Sequence, residues 1–278
     1  MSAADQPHVQ PPGARELGLG VARAVAGALI LGLPLLMTLE MWDLALTLSP
    51  WRLVVFVALA LPALVVLVRY LGFRDERGLP LRDVIADALV AYGVGALTSV
   101  VVLTLLGVTD SARTPAEWLA LVAVQSVPTS VGAAIARSHF VHGPGASGGT
   151  TGYGYEVLLM AVGALSLNVS IAPTEEVVLI AARVADPRAL VLMAASLAGM
   201  HAVVYLLGFA GQHRADAPGW STFVGYTVVG YAVACAISAY LLWVFGRTDA
   251  VPLSTVVLQV VVLAVPGSLG AAAARVIL

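Results

Sequence analysis

Long apolar stretches separated by short polar segments dominate the hydrophobic pattern of this chain. Eight of them are long enough to cross a bilayer as helices, because the hydrocarbon core requires about 20 mostly apolar residues. These predicted spans lie near residues 17–38, 51–71, 84–107, 117–136, 155–172, 188–210, 220–245 and 254–277. The first and fifth spans are followed by further helical segments, near 39–48 and 174–184. The pattern predicts an all-α integral membrane bundle of eight transmembrane helices.

A phrase near the middle of the chain recurs near its end. VPTSVGAAIAR occupies residues 127–137 and VPGSLGAAAAR occupies residues 265–275, with eight of the eleven positions identical. Weaker matches align the three preceding spans with their counterparts in the same order, including Glu40 with Glu176, Arg52 with Arg188, and Tyr92 with Tyr231. Each half holds four spans, an even number, so both halves enter the membrane from the same side. We therefore predict two parallel four-helix repeats related by an axis along the membrane normal.

The polar segments between these spans divide the chain into four parts. Residues 1–16 are polar and proline-rich, which predicts a disordered N-terminal tail. Residues 138–154 contain six glycines between Gly143 and Gly154, which is typical of a flexible linker. The two predicted membrane repeats are then residues 17–137 and 155–278.

Composition supports a lipid environment and excludes several function classes. The 278 residues are 60% hydrophobic and 11% charged, whereas soluble domains carry about 25% charged residues. A net charge of −2 gives no basic surface for nucleic acid. One cysteine can form neither an internal disulfide nor a cysteine metal cage. The chain lacks a nucleophile motif and a phosphate-binding loop, so we expect neither an enzyme nor a bound cofactor.

Arginine positions predict the orientation in the membrane. Nine arginines fall on the side of the termini and five on the opposite side. Positive residues concentrate in cytoplasmic loops. We therefore expect a multi-pass protein of the bacterial inner membrane with both termini in the cytoplasm, and the sequence does not indicate an oligomeric state.

The repeated phrase combines small residues with proline. Small residues spaced four apart allow helix backbones to approach closely in lipid, and each proline frees a carbonyl one turn earlier. We predict packing and kink positions at Pro128, Gly132, Pro266 and Gly270. In the alternative interpretation, the freed carbonyls line a central pathway together with Ser130 and Ser268.

A second polar phrase, LNVSIAPTEEVV at residues 167–178, interrupts the fifth span. Proline and acidic residues favour the first turn of a helix, so the span is expected to break near Pro173. The first half contains a related phrase, LPLLMTLEMWD at residues 33–43. The candidate ion-handling residues are Glu40, Glu176, Glu175, Thr38, Thr174, Asn168 and Ser170.

Two interpretations of the matched glutamates remain open. In the first, Glu40 and Glu176 lie inside the bundle, where each carboxylate must be protonated, paired or cation-bound. The neighbouring oxygen ligands would suit a hard cation or a proton relay, with the identity of any metal unspecified. In the second, the break near Pro173 marks the membrane surface, and the carboxylates start short interfacial helices.

Four phrases carry a resemblance to a known family. They are PLLMTLEMW at 34–42, GFRDERG at 72–78, QSVPTSVGAA at 125–134 and NVSIAPTEE at 168–176. The chain resembles a bacterial family of polytopic integral membrane proteins of unknown function, over nearly its whole length after the tail. The resemblance implies a multi-pass inner-membrane protein and implies no activity.

Two functions follow from these patterns. The first is a small cation or proton transporter or channel that uses paired intramembrane carboxylates. The alternative is a membrane scaffold or sensor subunit that does not transport and whose carboxylates are interfacial. The depth of Glu176 discriminates between them, because a deep carboxylate favours transport and a superficial one favours the scaffold.

Overall fold

A computed structural model describes residues 14–71, 80–108, 113–141, 153–184, 186–207, 220 and 223–277. The regular structure of these residues is entirely helical, which confirms the all-α class. The α-helices are α1 (Ala14–Leu36), α2 (Leu39–Thr47), α3 (Pro50–Leu71), α4 (Leu81–Leu105), α5 (Pro115–Val141), α6 (Tyr153–Ile171), α7 (Glu175–Arg183), α8 (Asp186–Leu207), α9 (Val229–Val244) and α10 (Leu253–Ile277). A π-helical turn, Phe223–Val228, leads directly into α9.

Seven spans among the described residues are long and apolar enough to cross a membrane. They comprise α1, α3, α4, α5, α6, α10 and the π-helical turn with α9. Helix α8 contributes a shorter apolar stretch, Pro187–Val203. The segments predicted to follow the first and fifth spans form the separate short helices α2 and α7.

The predicted tail and the predicted linker lie largely outside the described residues. Helix α1 begins at Ala14, inside the predicted 1–16 tail, and residues 1–13 lie outside the described residues. Helix α5 extends to Val141 and α6 begins at Tyr153, so most of the predicted linker, residues 142–152, also lies outside them.

Helices α1 and α5 pack through direct backbone contact, and α6 and α10 do the same. A Cβ atom added to Gly27 would overlap the carbonyl oxygen of Gly132, and one added to Gly163 would overlap that of Gly270. The reciprocal additions at Gly132 and Gly270 would meet Gly27 and Gly163. Absence of a side chain at these positions lets the helices approach closely, as small residues do in membrane proteins. The repeated phrase therefore supplies one glycine of each contact, Gly132 or Gly270.

Helices α4 and α9 end in the same hydrogen-bonded motif. Gly107 and Gly246 adopt left-handed backbone angles, with φ of 70° and 74°. The N–H of the following residue, Val108 or Arg247, donates to a carbonyl five residues back at 3.0 and 2.8 Å. This Schellman geometry requires a residue that tolerates positive φ, which explains glycine at both positions.

The largest hydrophobic cluster joins the two halves of the chain. It contains residues from α1 to α5 together with residues from α6, α7, α9 and α10. Helix α2 buries Met41, Leu44 and Ala45 in this cluster, and α7 buries Val177 and Ala181. The two short helices therefore cover the shared cluster at the end of the bundle where α3 and α8 begin.

The π-helical turn was not predicted from the sequence. Within it, the Gly225 carbonyl accepts a hydrogen bond from the Tyr153 hydroxyl at 2.7 Å. The buried Thr227 hydroxyl lies 3.0 Å from His201 Nδ1. Partners from α6 and α8 thus satisfy polar groups in a stretch whose hydrogen bonding departs from that of an α-helix.

Candidate functional site

The threonines of the two Thr-x-Glu phrases join each long helix to the short helix after it. Thr38 and Thr174 are the N-cap residues of α2 and α7, with extended backbone angles. The Thr38 hydroxyl donates to the Leu35 carbonyl at 2.9 Å, and the Thr174 hydroxyl donates to the Ile171 carbonyl at 2.8 Å. Each threonine therefore satisfies an orphan carbonyl at the end of the preceding helix. This local role accounts for threonine at both positions.

The matched glutamates occupy the first turns of the short helices and face outward. Both Glu40 and Glu176 are exposed on the surface of the protein. A hydrogen bond from its own backbone N–H holds the pKa of Glu176 below its usual range. A carboxylate in the first turn also interacts favourably with the helix dipole. Both carboxylates therefore lie on the outer surface of the helices, and neither is enclosed by the bundle.

Glu175 forms an ion pair within the second half. Arg247 Nη1 lies 3.1 Å from its carboxylate, and Arg247 Nη2 donates to the Pro173 carbonyl. In the aligned positions of the first half, Leu39 replaces the glutamate and Val108 replaces the arginine. Both charges are thus present in one half and both are missing from the other. This joint difference indicates that Glu175 acts with Arg247 to fix the start of α7.

Asn168 lies in the interior between α6, α9 and α10. Its side chain is fully buried, and its Nδ2 donates to the Ser238 hydroxyl at 2.9 Å. Its Oδ1 has no hydrogen-bond partner among the described residues. The amide fits against Gly267, where an added Cβ would lie 2.6 Å from Nδ2. Ser170, two residues later, is half-buried.

The first half makes the equivalent contact with its residues exchanged. Gly32 aligns with Asn168, and Thr129 aligns with Gly267. A Cβ added to Gly32 would overlap the Thr129 side chain, and the Thr129 hydroxyl lies 3.1 Å from that of Ser99. In each half, one polar side chain fills the space left by a glycine and reaches a serine on α4 or α9.

A run of polar residues lies buried along α5. Gln125, Ser126, Thr129 and Ser130 are all at most 1% exposed. Gln125 Nε2 donates to the Leu35 carbonyl at 3.1 Å. Its Oε1 lacks a partner within the described part of the chain, as does Oε1 of the buried Gln259 on α10. A buried polar atom in an apolar interior is costly without a partner, which makes these amide oxygens candidate ligand atoms.

The two prolines of the repeated phrase lie within continuous helices. Pro128 is inside α5 and Pro266 is inside α10. Next to them, the hydroxyls of Ser130 and Ser268 donate to carbonyls of their own helices, at 2.7 and 2.9 Å. Those two hydroxyls therefore stabilise the backbone beside each proline.

Pro128 also borders a narrow crevice between the two halves. Residues of α1, α5 and α6 line it: Leu31, Val127, Pro128, Val131, Leu165, Ser166 and Val169. The crevice has room for about one water molecule. It borders the segments of α5 and α6 that carry Gln125 and Asn168.

Sequence reasoning did not place Gln125 and Gln259 among the candidate site residues. A lone amide in an apolar membrane span is a functional signal by itself, since few polar side chains are tolerated there. Within the described residues, no group of three or more histidine, cysteine, aspartate or glutamate side chains could hold a metal ion.

The apolar spans, the close glycine contacts and the buried amides define a polytopic helical membrane protein. Over residues 20–278 the chain matches a family described as "Putative integral membrane protein (DUF2391)". The chain belongs to this family, which confirms the resemblance found in its sequence. Neither a curated protein nor a solved structure matches the chain significantly.

Proposed function

We propose that this protein conducts a small cation across the membrane, with buried side-chain amide oxygens as its ligands. The observation that carries this proposal is the complete burial of Gln125 and Asn168, each with an amide oxygen that lacks a partner in the described residues. Neutral oxygens are suitable ligands for a hard cation that sheds its water.

The crevice between the halves marks an interface along which they would separate. Its lining is apolar apart from Ser166, and it lies next to the turns of α5 and α6 that contain Gln125 and Asn168. A cation would enter along this interface when the halves separate. Alternating movement of two repeats around a central site is a common mechanism among transporters.

The proposal includes two parallel repeats of four spans each, with both termini in the cytoplasm. Two observations support the repeats. The α1–α5 and α6–α10 contacts use glycines at aligned positions, and α4 and α9 end in the same glycine motif. In this arrangement Glu40 and Glu176 lie at the same end of the bundle and start the two connecting helices.

A flux assay in proteoliposomes tests the proposal. Wild-type protein should carry monovalent cations down an imposed gradient above the rate of empty vesicles. Gln125→Leu and Asn168→Leu should each lower that flux at least about tenfold, because each removes an oxygen ligand worth at least about 1.4 kcal/mol. Thr129→Val is the matched control for loss of a buried interhelical hydrogen bond, and it should retain most of the flux.

The same assay separates the amides from the carboxylates. Glu40→Gln and Glu176→Gln should keep flux within about twofold of wild type, since both side chains are exposed. Loss of flux in these two variants, with the amide variants unaffected, would instead place the ion path at the carboxylates.

A membrane scaffold or sensor subunit is the second candidate function. The outward position of Glu40 and Glu176 on the short helices favours it, because an exposed pair of carboxylates is available to a partner. Folded wild-type protein without flux above empty vesicles would support this function and exclude the first.

A further inference from the structure

One polar contact joins residues that are 197 positions apart in the chain. Arg52, at the start of α3, donates from Nη1 and Nη2 to the two carboxylate oxygens of Asp249, at 2.7 and 2.5 Å. Asp249 follows the end of α9, so the ion pair links the first half of the chain to the second. Two parallel hydrogen bonds give this pair a defined geometry.

Aromatic side chains surround the ion pair and join the same two helices. Trp51 and Trp243 meet edge to face with ring centroids 5.3 Å apart, and Phe56 meets Phe245 at 5.8 Å. The guanidinium of Arg52 lies 5.3 Å from one tryptophan ring and 5.8 Å from the other, within cation–π range. We name these residues the interhalf latch: Trp51, Arg52, Phe56, Trp243, Phe245 and Asp249.

The aromatic residues of the latch have no aromatic counterparts at the aligned positions of the other half. The positions that correspond to Trp51 and Phe56 in the second half are Pro187 and Leu192. The positions that correspond to Trp243 and Phe245 in the first half are Thr104 and Leu106, and both are exposed. A duplicated architecture would offer the contact twice, whereas the aromatic residues occur at one place. The charged residues do not share this difference, since Arg52 aligns with Arg188 and Asp249 with Asp110.

The exposure of the ion pair suits a contact that opens and closes. The Asp249 side chain is 57% exposed, and that of Arg52 is 12% exposed. When the pair separates, the carboxylate therefore remains hydrated and is not left as a buried unpaired charge. When the halves move, the carboxylate of Asp249 can return to water, and the guanidinium of Arg52 keeps the ring of Trp51 beside it.

We infer that the interhalf latch is the gate that closes the interface between the halves at the end of the bundle carrying α2 and α7. This inference rests on the proposed function, because a gate serves a conducted ion. Closure joins the start of α3 to the end of α9. Opening separates Phe56 from Phe245 and admits water between the halves.

Thiol labelling tests the gate without relying on flux. In a Cys235→Ser background, Phe56→Cys places a reporter at a side chain that is 1% exposed in the closed latch. A membrane-impermeant maleimide should label it slowly in proteoliposomes, and Asp249→Asn should raise the rate at least about fivefold. Glu175→Gln breaks the neighbouring ion pair within the second half, and it should leave the rate within about twofold.

Two further variants allow the gate to be tested even if Phe56→Cys folds poorly. Phe245→Cys, on the opposite side of the same contact, should respond to Asp249→Asn in the same way. The charge-swapped double variant Arg52→Asp, Asp249→Arg should restore slow labelling. Equal rates with and without Asp249→Asn at both reporters would overturn the gate.

Flux measured on the same samples separates the two proposals. Faster labelling together with altered cation flux in Asp249→Asn supports the gate and the proposed function. Faster labelling with no flux in wild type overturns conduction and the gate's role in it. Altered flux with unchanged labelling overturns the gate and leaves conduction supported.

Discussion

At the scale of single residues, the neighbours of each charged group decide its role. Glu175 and Glu176 are adjacent in sequence, yet one pairs with Arg247 and the other accepts bonds from the start of its own helix. The first half retains Glu40 and Thr38 but has Leu39 where the second half has Glu175. The Thr-x-Glu phrase is therefore shared for a local reason, the connection between a long helix and a short one.

The Arg52–Asp249 pair should make stability depend on pH. The hydrogen bond and charge of Arg52 hold the pKa of Asp249 below its usual range. A lowered folded-state pKa contributes stability above the unfolded value, about pH 3.9, that is lost as the pH falls through the folded value. The melting temperatures of wild type and Asp249→Asn in detergent should therefore differ above about pH 4 and converge in more acidic buffer. A constant difference across this range would contradict the ion pair.

The residues of the Arg247–Glu175 pair can be replaced by those at the aligned positions of the first half, valine and leucine. Glu175→Leu alone leaves a half-buried arginine without its carboxylate, and Arg247→Val alone leaves the Pro173 carbonyl without its donor. The double variant removes both charges and should be more stable than the sum of the single effects by about 0.5 kcal/mol. Unfolding in detergent measures this coupling, and additive effects would show that the two residues act independently.

At the scale of helices, the sequence pattern identified the elements well. The predicted segments near 39–48 and 174–184 correspond to α2 (Leu39–Thr47) and α7 (Glu175–Arg183). Apolar length, proline and acidic residues carry this information, because they act within one or two turns. The π-helical turn was missed because hydrogen bonds from Tyr153 and His201, on other helices, satisfy it.

The effect of a Gly→Ala substitution on stability should depend on whether another helix packs against that glycine. Gly27→Ala and Gly163→Ala place a Cβ against the backbone of α5 or α10, and we expect losses of about 1–3 kcal/mol. Gly93→Ala is the matched control, since an added Cβ there meets nothing within 4 Å. It should be neutral or slightly stabilising, because alanine favours the helix over glycine. Similar losses at all three positions would show that helix propensity, rather than close packing, controls the response.

At the scale of the whole molecule, the contacts within one half resemble those within the other. The contacts between the halves are not repeated in this way. Each half places a glycine contact between its first and last long helices, and each buries a polar side chain against a serine. The latch between the halves has aromatic residues at one aligned place. The aligned positions of the two halves therefore share glycine and polar packing contacts within each half, whereas the aromatic residues between the halves differ.

Two parallel repeats make a prediction about topology and assembly. If each half crosses the membrane four times as proposed, reporter fusions at the two ends of the chain should report the same side, and the distribution of arginines predicts the cytoplasm. The two halves, divided between Val141 and Tyr153 and expressed together, should associate through the latch and the shared cluster. Asp249→Asn should weaken recovery of the complex by affinity purification. Opposite locations of the two termini would exclude parallel repeats.

The sequence by itself determined the helical class, the presence of several apolar membrane-capable helices, the short connecting helices and the membership of a membrane protein family. These features depend on apolar length, helix-terminal residues and phrases that are contiguous in the chain. The tertiary structure decided that Glu40 and Glu176 face outward, that Gln125 and Asn168 are buried with amide oxygens that lack a partner among the described residues, and that Arg52 meets Asp249. Burial and pairing of a polar group depend on which helices surround it, and that arrangement is fixed by contacts between residues far apart in the chain.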